Sequence, residues 1–491
     1  MEASQSTNPT PHLLVKLFKN SAFLLSNDII TRATTFILYA MIARYLGAFE
    51  FGQLSLALTI LFTFQILAPA GLRLLITREV ANHREKTNLL LVNGSLIAVI
   101  FTMVAYLILF VVIFVLDYSS NTTMVISIIA LGLLPFSLST ICEAIFQGWE
   151  KMQYITYANL PRNFSILLLG YIFLSQGYSL IAISWLLSIT YFILLLIEWF
   201  IIARFILKPR LVIDFAFTRE TTKSSLSFLG FQGAFAISST LLIFMLSKYA
   251  GEAEVGFYNA SSQILIPLTL VLQSVVLSVF PAMCRRFEAN IQGLKLLSDN
   301  LVELFLGMTF PVVICIFYLS GEILLLLYGN QEFLFSTIVL QILVLTLIPQ
   351  AVTTIFGRLL LAGHHENRLF KIVMICSVFS IVVGIFLISE LGLIGAALTA
   401  VAFSLLNFIL HYQLTARMIT SPLPIMRLWK PTVASFVYVL FIVLVKGLHP
   451  FITAFLGGLL YLLVWLTLNI FAEGGFYQLA TKYKILWSES L

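Results

Sequence analysis

Runs of eighteen or more apolar residues recur along the whole chain, and each is long enough to cross a bilayer, for which about 20 residues are needed. In lipid such a run must pair its own backbone groups, so each is expected as a helix. With 60% hydrophobic and 10% charged residues, the chain is not a soluble globule, where about 25% charge is usual. Met1–Lys19 is polar, the apolar stretch after it is too long for a cleavable signal core, and no small-residue cleavage site follows. The first helix is therefore expected to be retained. Fourteen spans can be drawn, near 21–46, 53–76, 89–116, 122–147, 156–175, 179–206, 224–249, 255–281, 299–328, 333–361, 369–388, 391–416, 430–447 and 451–471.

Alternate loops differ in charge. One set holds 24 Lys and Arg residues, the other only Arg44, Lys248 and Lys446, with Arg32 left inside a helix. The positive-inside rule then puts both termini in the cytoplasm.

The chain is also written twice. Ala43–Ile60 and Ser247–Ile264 superpose without a gap at a spacing of 204 residues, sharing the frame Arg44, Tyr45, Gly47, Glu50, Gly52 against Lys248, Tyr249, Gly251, Glu254, Gly256. Each copy lies between two apolar stretches and reads as a tight, glycine-permitted reversal, with Glu50 and Glu254 capping or pairing inside it. A looser echo sets Phe146–Ser188 against Leu361–Phe403, about 215 residues on. The expected architecture is all-α: an integral membrane protein of about 14 transmembrane helices in two six-helix lobes, 1–207 and 208–420, with two further helices in 421–491. An even number of spans per lobe makes the lobes parallel, related by a pseudo-two-fold along the membrane normal, with a central cavity between them.

Several chemistries are excluded. No GxxxxGK[ST] motif and no soluble segment supports an ATPase. No outward loop exceeds about a dozen residues, which disfavours a membrane glycan polymerase or ligase. His364 and His365 beside Glu366 read as solvated loop, not a metal site. Cys142, Cys284, Cys315 and Cys376 show no CxxC spacing and read as buried thiols. No catalytic residue, metal, cofactor or nucleic-acid partner is expected.

What remains is charge inside helices, which is costly near the bilayer centre and normally faces a wet cavity or a partner. Asp28 and Arg32 stand at i and i+4 on the first span, within pairing reach and about 10 and 16 Å deep. Either they form a lumen site, where Arg32 attracts an anion and Asp28 binds a coupling cation, or they are a fixed structural pair. Glu143, Glu198, Glu303, Arg73, Arg78, Arg162 and Arg358 read first as interfacial, snorkelling charges. Arg162, just after Pro161 at the start of the fifth span, and Arg358, in the last turns of the tenth, are best placed to form the mouth of a basic cavity. Glu143 is a second candidate for ion coupling. Pro69, Pro135, Pro267, Pro311 and Pro349 lie within spans and supply candidate kinks, Pro135 and Pro349 at nearly matching places.

The stretches ARYLGAFEFGQLSL (43–56), GLRLLITREVA (71–81), FQGWEKM (146–152), KYAGEAEVGFYNAS (248–261), LLLLYGNQEF (324–333), LLLAGHHENR (359–368) and LGLIGAALTA (391–400) resemble the polysaccharide transporters of the multidrug/oligosaccharidyl-lipid/polysaccharide (MOP) flippase superfamily. The resemblance implies a flippase, not an enzyme, that carries lipid diphosphate-linked oligosaccharide to the outer leaflet by alternating access. It implies a bacterial cytoplasmic membrane, a proton or sodium gradient, a monomer among membrane lipids, and polysaccharide-assembly proteins as partners. Cationic lumen residues would grip the diphosphate, which fits Arg32, Arg162 and Arg358. Relatives often carry an acid in the seventh span, where this chain has Ser238, Ser239 and Thr240. That departure leaves Asp28 as the main coupling candidate. A drug exporter and a lipid-linked peptidoglycan precursor flippase of the same superfamily remain alternatives.

Overall fold

A computed structural model describes residues 11–69, 71–419, 423–445, 447–473 and 475, with side chains throughout except at 11–18, 21, 224, 226–239 and 473. Ser238, Ser239 and the loop residue Lys446 therefore lie outside what is described. Every described helix or strand element is helical: α1 (Pro11–Leu67), α2 (Leu72–Asn82), α3 (Thr87–Leu116), α4 (Ser120–Ala130), α5 (Leu133–Gly148), α6 (Gln153–Ser175), α7 (Leu180–Phe205) and α8 (Phe215–Tyr249). They continue with α9 (Glu252–Ala289), α10 (Ile291–Tyr318), α11 (Ser320–Tyr328), α12 (Thr337–Val344), α13 (Leu347–Ala362), α14 (Glu366–Ala416), α15 (Ile425–Leu444) and α16 (Pro450–Glu473), plus two short 3-10 turns. The chain forms two compact units, Met1–Ile243 and Phe244–Leu491.

Among the described residues, nine helices are long and apolar enough to cross a membrane, or ten with the bent pair Gln331–Val344 and Leu347–Ala362, which turns by 41°. The fourteen expected spans are not counted one for one. Two expected pairs are each drawn out into one long helix broken at a glycine, α1 at Gly47 and α14 at Gly392.

Those breaks show the duplication in the backbone. Gly47 (φ 87°, ψ −176°) and Gly251 (φ 99°, ψ 176°), equivalent in the repeat, adopt nearly one conformation, which a side chain would strain. At Gly251 no atom would come within 4 Å of an added Cβ, so backbone conformation, not space, selects glycine there. The looser echo is equally visible. Gly177 and Gly392 both have positive φ. The helices α5 and α13 are both 16 residues long with proline third, and each ends in the same turn. Lys151 N–H donates to Phe146 O at 2.9 Å, and His365 N–H donates to Leu360 O at 2.9 Å. Glu150 and His364 sit in that turn at φ 56° and 57°. The register there is 214 residues, one fewer than at the Gly177–Gly392 pair.

The prolines fall into two kinds. Pro69 lies in the break after α1, where Leu72 N–H donates to its carbonyl at 2.9 Å and Gly71 has φ 72°. Pro135 and Pro349 occupy the first turn of α5 and α13, where no intrahelical donor is lost, so each starts a helix after a break. Pro267 and Pro311 sit inside α9 and α10, which run on through them.

Lipid tails are as apolar as leucine, so close backbone approach does much of the packing. In the first unit Gly148 admits Val80, to which an added Cβ would approach within 2.7 Å. In the second, Gly307 of α10 accepts the ring of Trp465 on α16, at 2.3 Å from such a Cβ, and its carbonyl takes the Tyr461 hydroxyl at 2.7 Å. The helices outside the repeat are also fixed by charge. Lys430 Nζ of α15 donates to Glu303 Oε1 of α10 at 2.6 Å and to Asn469 Oδ1 of α16 at 3.0 Å. Arg427 lies 3.7 Å from Glu303 Oε2 and donates to Asn300 at 2.7 Å. Glu303 thus does not snorkel, because a lysine counted among the loops comes to it inside the packing.

Residues 207–214, which have no regular structure, are held along α3. Asn88 donates to and accepts from the Arg210 backbone at 2.8 Å. The buried Asn93 donates to Val212 O at 3.1 Å and accepts from Asp214 N–H at 2.9 Å and the Thr218 hydroxyl at 3.0 Å.

Candidate functional site

Side chains of α2, α5, α6 and α7 gather around one buried carboxylate, and α1 joins them through Tyr191. On α7, Tyr191 and Glu198 are seven residues apart and share a face; on α5, Phe136, Ser139 and Glu143 share another. The two faces meet. Phe136 and Tyr191 touch edge to face at 5.7 Å, and the Ser139 hydroxyl donates to Glu198 Oε2. Gln65 of α1 donates to the Tyr191 hydroxyl at 3.0 Å. From α6, Arg162 lays its guanidinium over the Tyr191 ring at 4.3 Å, a cation–π contact. From α2, Arg73 pairs with Glu143 at 3.1 Å.

Glu198 is completely buried. Its Oε1 finds no hydrogen-bond partner among the described residues, and neither does Arg162 Nε. The charges of Glu143, Arg162 and Arg73 all act on Glu198. Two cations and two carboxylates are thus gathered, yet among the described residues one ion pair joins them. Glu198 lies seven residues from the end of α7, about 10 Å along the helix, and Arg162 nine residues into α6, about 14 Å along it. Glu198, completely buried, is not the snorkelling charge expected from the sequence. Arg162 does not open its helix, because α6 begins at Gln153 and runs through Pro161.

The other predicted residues are placed as follows. Arg32 Nε donates to Asp28 Oδ2 at 2.8 Å, and the two side chains are 48% and 56% exposed. Leu25 and Ile29 are exposed on the same stretch of α1. Arg358, on α13 in the second unit, sits over the Phe280 ring at 5.7 Å. Arg162 and Glu143 are therefore brought together, around Glu198, while Asp28 and Arg32 form a separate pair. Ser139 and Tyr191 were not singled out by the sequence; their only signal was helical spacing from an acidic residue in an apolar helix.

With this geometry in view, the match to known proteins is informative. Residues 17–287 match the family described as polysaccharide biosynthesis protein, more than half of the chain. The chain belongs to that family. A probable low-salt glycan biosynthesis flippase of Haloferax volcanii, Agl15, is 25% identical over 231 residues, 46% of this chain and 48% of that protein. The chain thus spans about half the length of the curated relative it matches. Among solved structures, the lipid II flippase MurJ in an inward closed conformation is similar at a TM-score of 0.74 and 17% identity, covering 90% of this chain and 97% of that one. An inward-facing multidrug resistance MATE family transporter of the MOP superfamily is similar at 0.63 and 13% identity, over 80% and 94%. Over its described residues this polysaccharide biosynthesis protein is all-helical, with many helices able to cross a membrane, and its fold is like that of these two solved proteins.

Proposed function

We propose that this member of the polysaccharide biosynthesis family is a flippase. It moves a polyprenyl diphosphate-linked oligosaccharide from the cytoplasmic to the outer leaflet by alternating access. It works as a secondary transporter, drawing on a proton or sodium gradient, with both termini in the cytoplasm. The observation that carries the reading is Arg32. Its guanidinium is paired with Asp28 at 2.8 Å and remains half exposed within a span, where an ionisable group normally faces water or a partner, so it is still open to a second anion. A diphosphate is the anion that a lipid-linked glycan offers. Arg162 and Arg358, both within helices and stacked on aromatic rings, are the further cations of this path.

Arg32→Ala is expected to abolish surface polysaccharide in cells that depend on this protein, with the variant still present in the membrane at wild-type level. Full export by that variant would remove the anion-binding role. Drug susceptibility should be unchanged by deletion, and a drug-sensitive deletion strain with intact polysaccharide would favour the exporter reading instead.

A further inference from the structure

Glu198 stands where an anion is hard to keep. It has no exposure, one oxygen bonded to the Ser139 hydroxyl, and one oxygen bare among the described residues. Leaving a buried charge without its partner costs about 3–5 kcal/mol. Glu143, four residues from Ser139, is already paired with Arg73. Arg162 is the remaining cation acting on Glu198, and its guanidinium is spent on the Tyr191 ring while its Nε has no acceptor. Two events would relieve the carboxylate: Arg162 leaves the ring for Oε1, or Oε1 takes a proton.

We propose that Glu198 is a proton-binding residue of the first unit, and that Arg162, exchanging the Tyr191 ring for Glu198 Oε1, sets when the proton is held. The proton comes from water and returns to water, and no bond other than that O–H forms or breaks. The surrounding groups fit this assignment. From α5 come Ser139, Cys142 and Glu143; from α6, Arg162; from α2, Arg73. From α1, Gln65 and Tyr39 reach it only through Tyr191. The remaining neighbour, α4, carries no titratable side chain. Ser139 suits both states, since a hydroxyl can donate to the carboxylate and accept from the acid. The matching places of the second unit carry no carboxylate: Glu143 corresponds to Gly357 and Glu198 to Gln413, and the buried His411 stands beside Gly357 instead.

The assignment does not depend on the cargo, so a failed glycan-export assay leaves it standing. The test is infrared difference spectroscopy of the full-length protein in phosphatidylcholine nanodiscs, titrated in pH while the carbonyl stretch of protonated carboxyl groups is followed. One titrating band is expected to vanish in Glu198→Gln and to persist in Glu143→Gln. In Arg162→Gln its midpoint should rise by about 1–3 pH units, because a cation that favoured the carboxylate has gone. Should Glu198→Gln not fold, Ser139→Ala removes the donor to the carboxylate, and the same band should again move up. A band untouched by these changes, or one suppressed by sodium at constant pH, overturns the proposal.

Discussion

Glu303 and Glu198 are both acids buried inside membrane helices, with side chains 1% and 0% exposed, and their surroundings differ completely. Glu303 has Lys430 at 2.6 Å, Arg427 at 3.7 Å and a hydrogen-bonded asparagine behind the lysine. Glu198 has one serine hydroxyl, and its candidate cation is turned to an aromatic ring. The difference follows from what each must do. α15 and α16 lie outside the repeat and have only their own packing to hold them on α10, so charge there is fully neutralised. A fully satisfied network is rigid, whereas a partly satisfied one holds an unpaired buried group at a cost that a proton or a moving cation would relieve. Glu303 is a fastening; Glu198 is a group left able to change.

That contrast can be broken by measurement. The largest effect is expected from Lys430→Met, which takes from the buried Glu303 its nearest cation and leaves Arg427 at 3.7 Å, and should cost about 3 kcal/mol, read as a lower Tm of the purified protein. Adding Glu303→Leu should restore most of the loss; a double variant as unstable as the single one would show that the pair is not the fastening. Gly307→Ala should come next, at about 1–3 kcal/mol, because its methyl group must displace the Trp465 ring. Glu198→Gln should fall within about 1 kcal/mol of wild type, since an amide oxygen still accepts from Ser139. A loss there as large as that of Lys430→Met would make the two glutamates equivalent and remove the distinction. The smallest stability effect belongs to Asp28→Asn, at about 0–1 kcal/mol for a half-exposed pair. Its expected signature is instead an altered dependence of export on the proton or sodium gradient.

Much of the fold was legible in the sequence, for a physical reason. A hairpin that needs a left-handed glycine must write that glycine twice if the chain is duplicated, and Gly47 and Gly251 carry the same backbone angles. The Asp28–Arg32 pair was legible too, because i and i+4 geometry is local. Contacts between helices were not. Glu198 and Glu303 read as interfacial charges because nothing local marks Ser139 or Lys430 as their partners, 59 and 127 residues away. Lys430 was counted with the cytoplasmic loops, since a lysine at a helix end looks the same whether it meets water or a buried acid. The prolines marked breaks without giving their exact place; the helix pair around Pro349 bends by 41°. Pro135 and Pro349 sit inside apolar runs that look continuous, yet the helix has already stopped and restarted two residues before each.

The asparagine pair on α3 bears on how this polypeptide could be cut in two. By its duplication the chain divides near 207/208, but the strip 208–214 that follows is stitched to the amino-terminal half by Asn88 and Asn93. A protease site or a split-gene junction placed at that seam would peel this strip away and leave a buried amide bare. A cut downstream of Thr218 spares those stitches, but only beyond Ile243, where the first compact unit ends, does it also keep the Thr63–Thr240 hydrogen bond within one fragment.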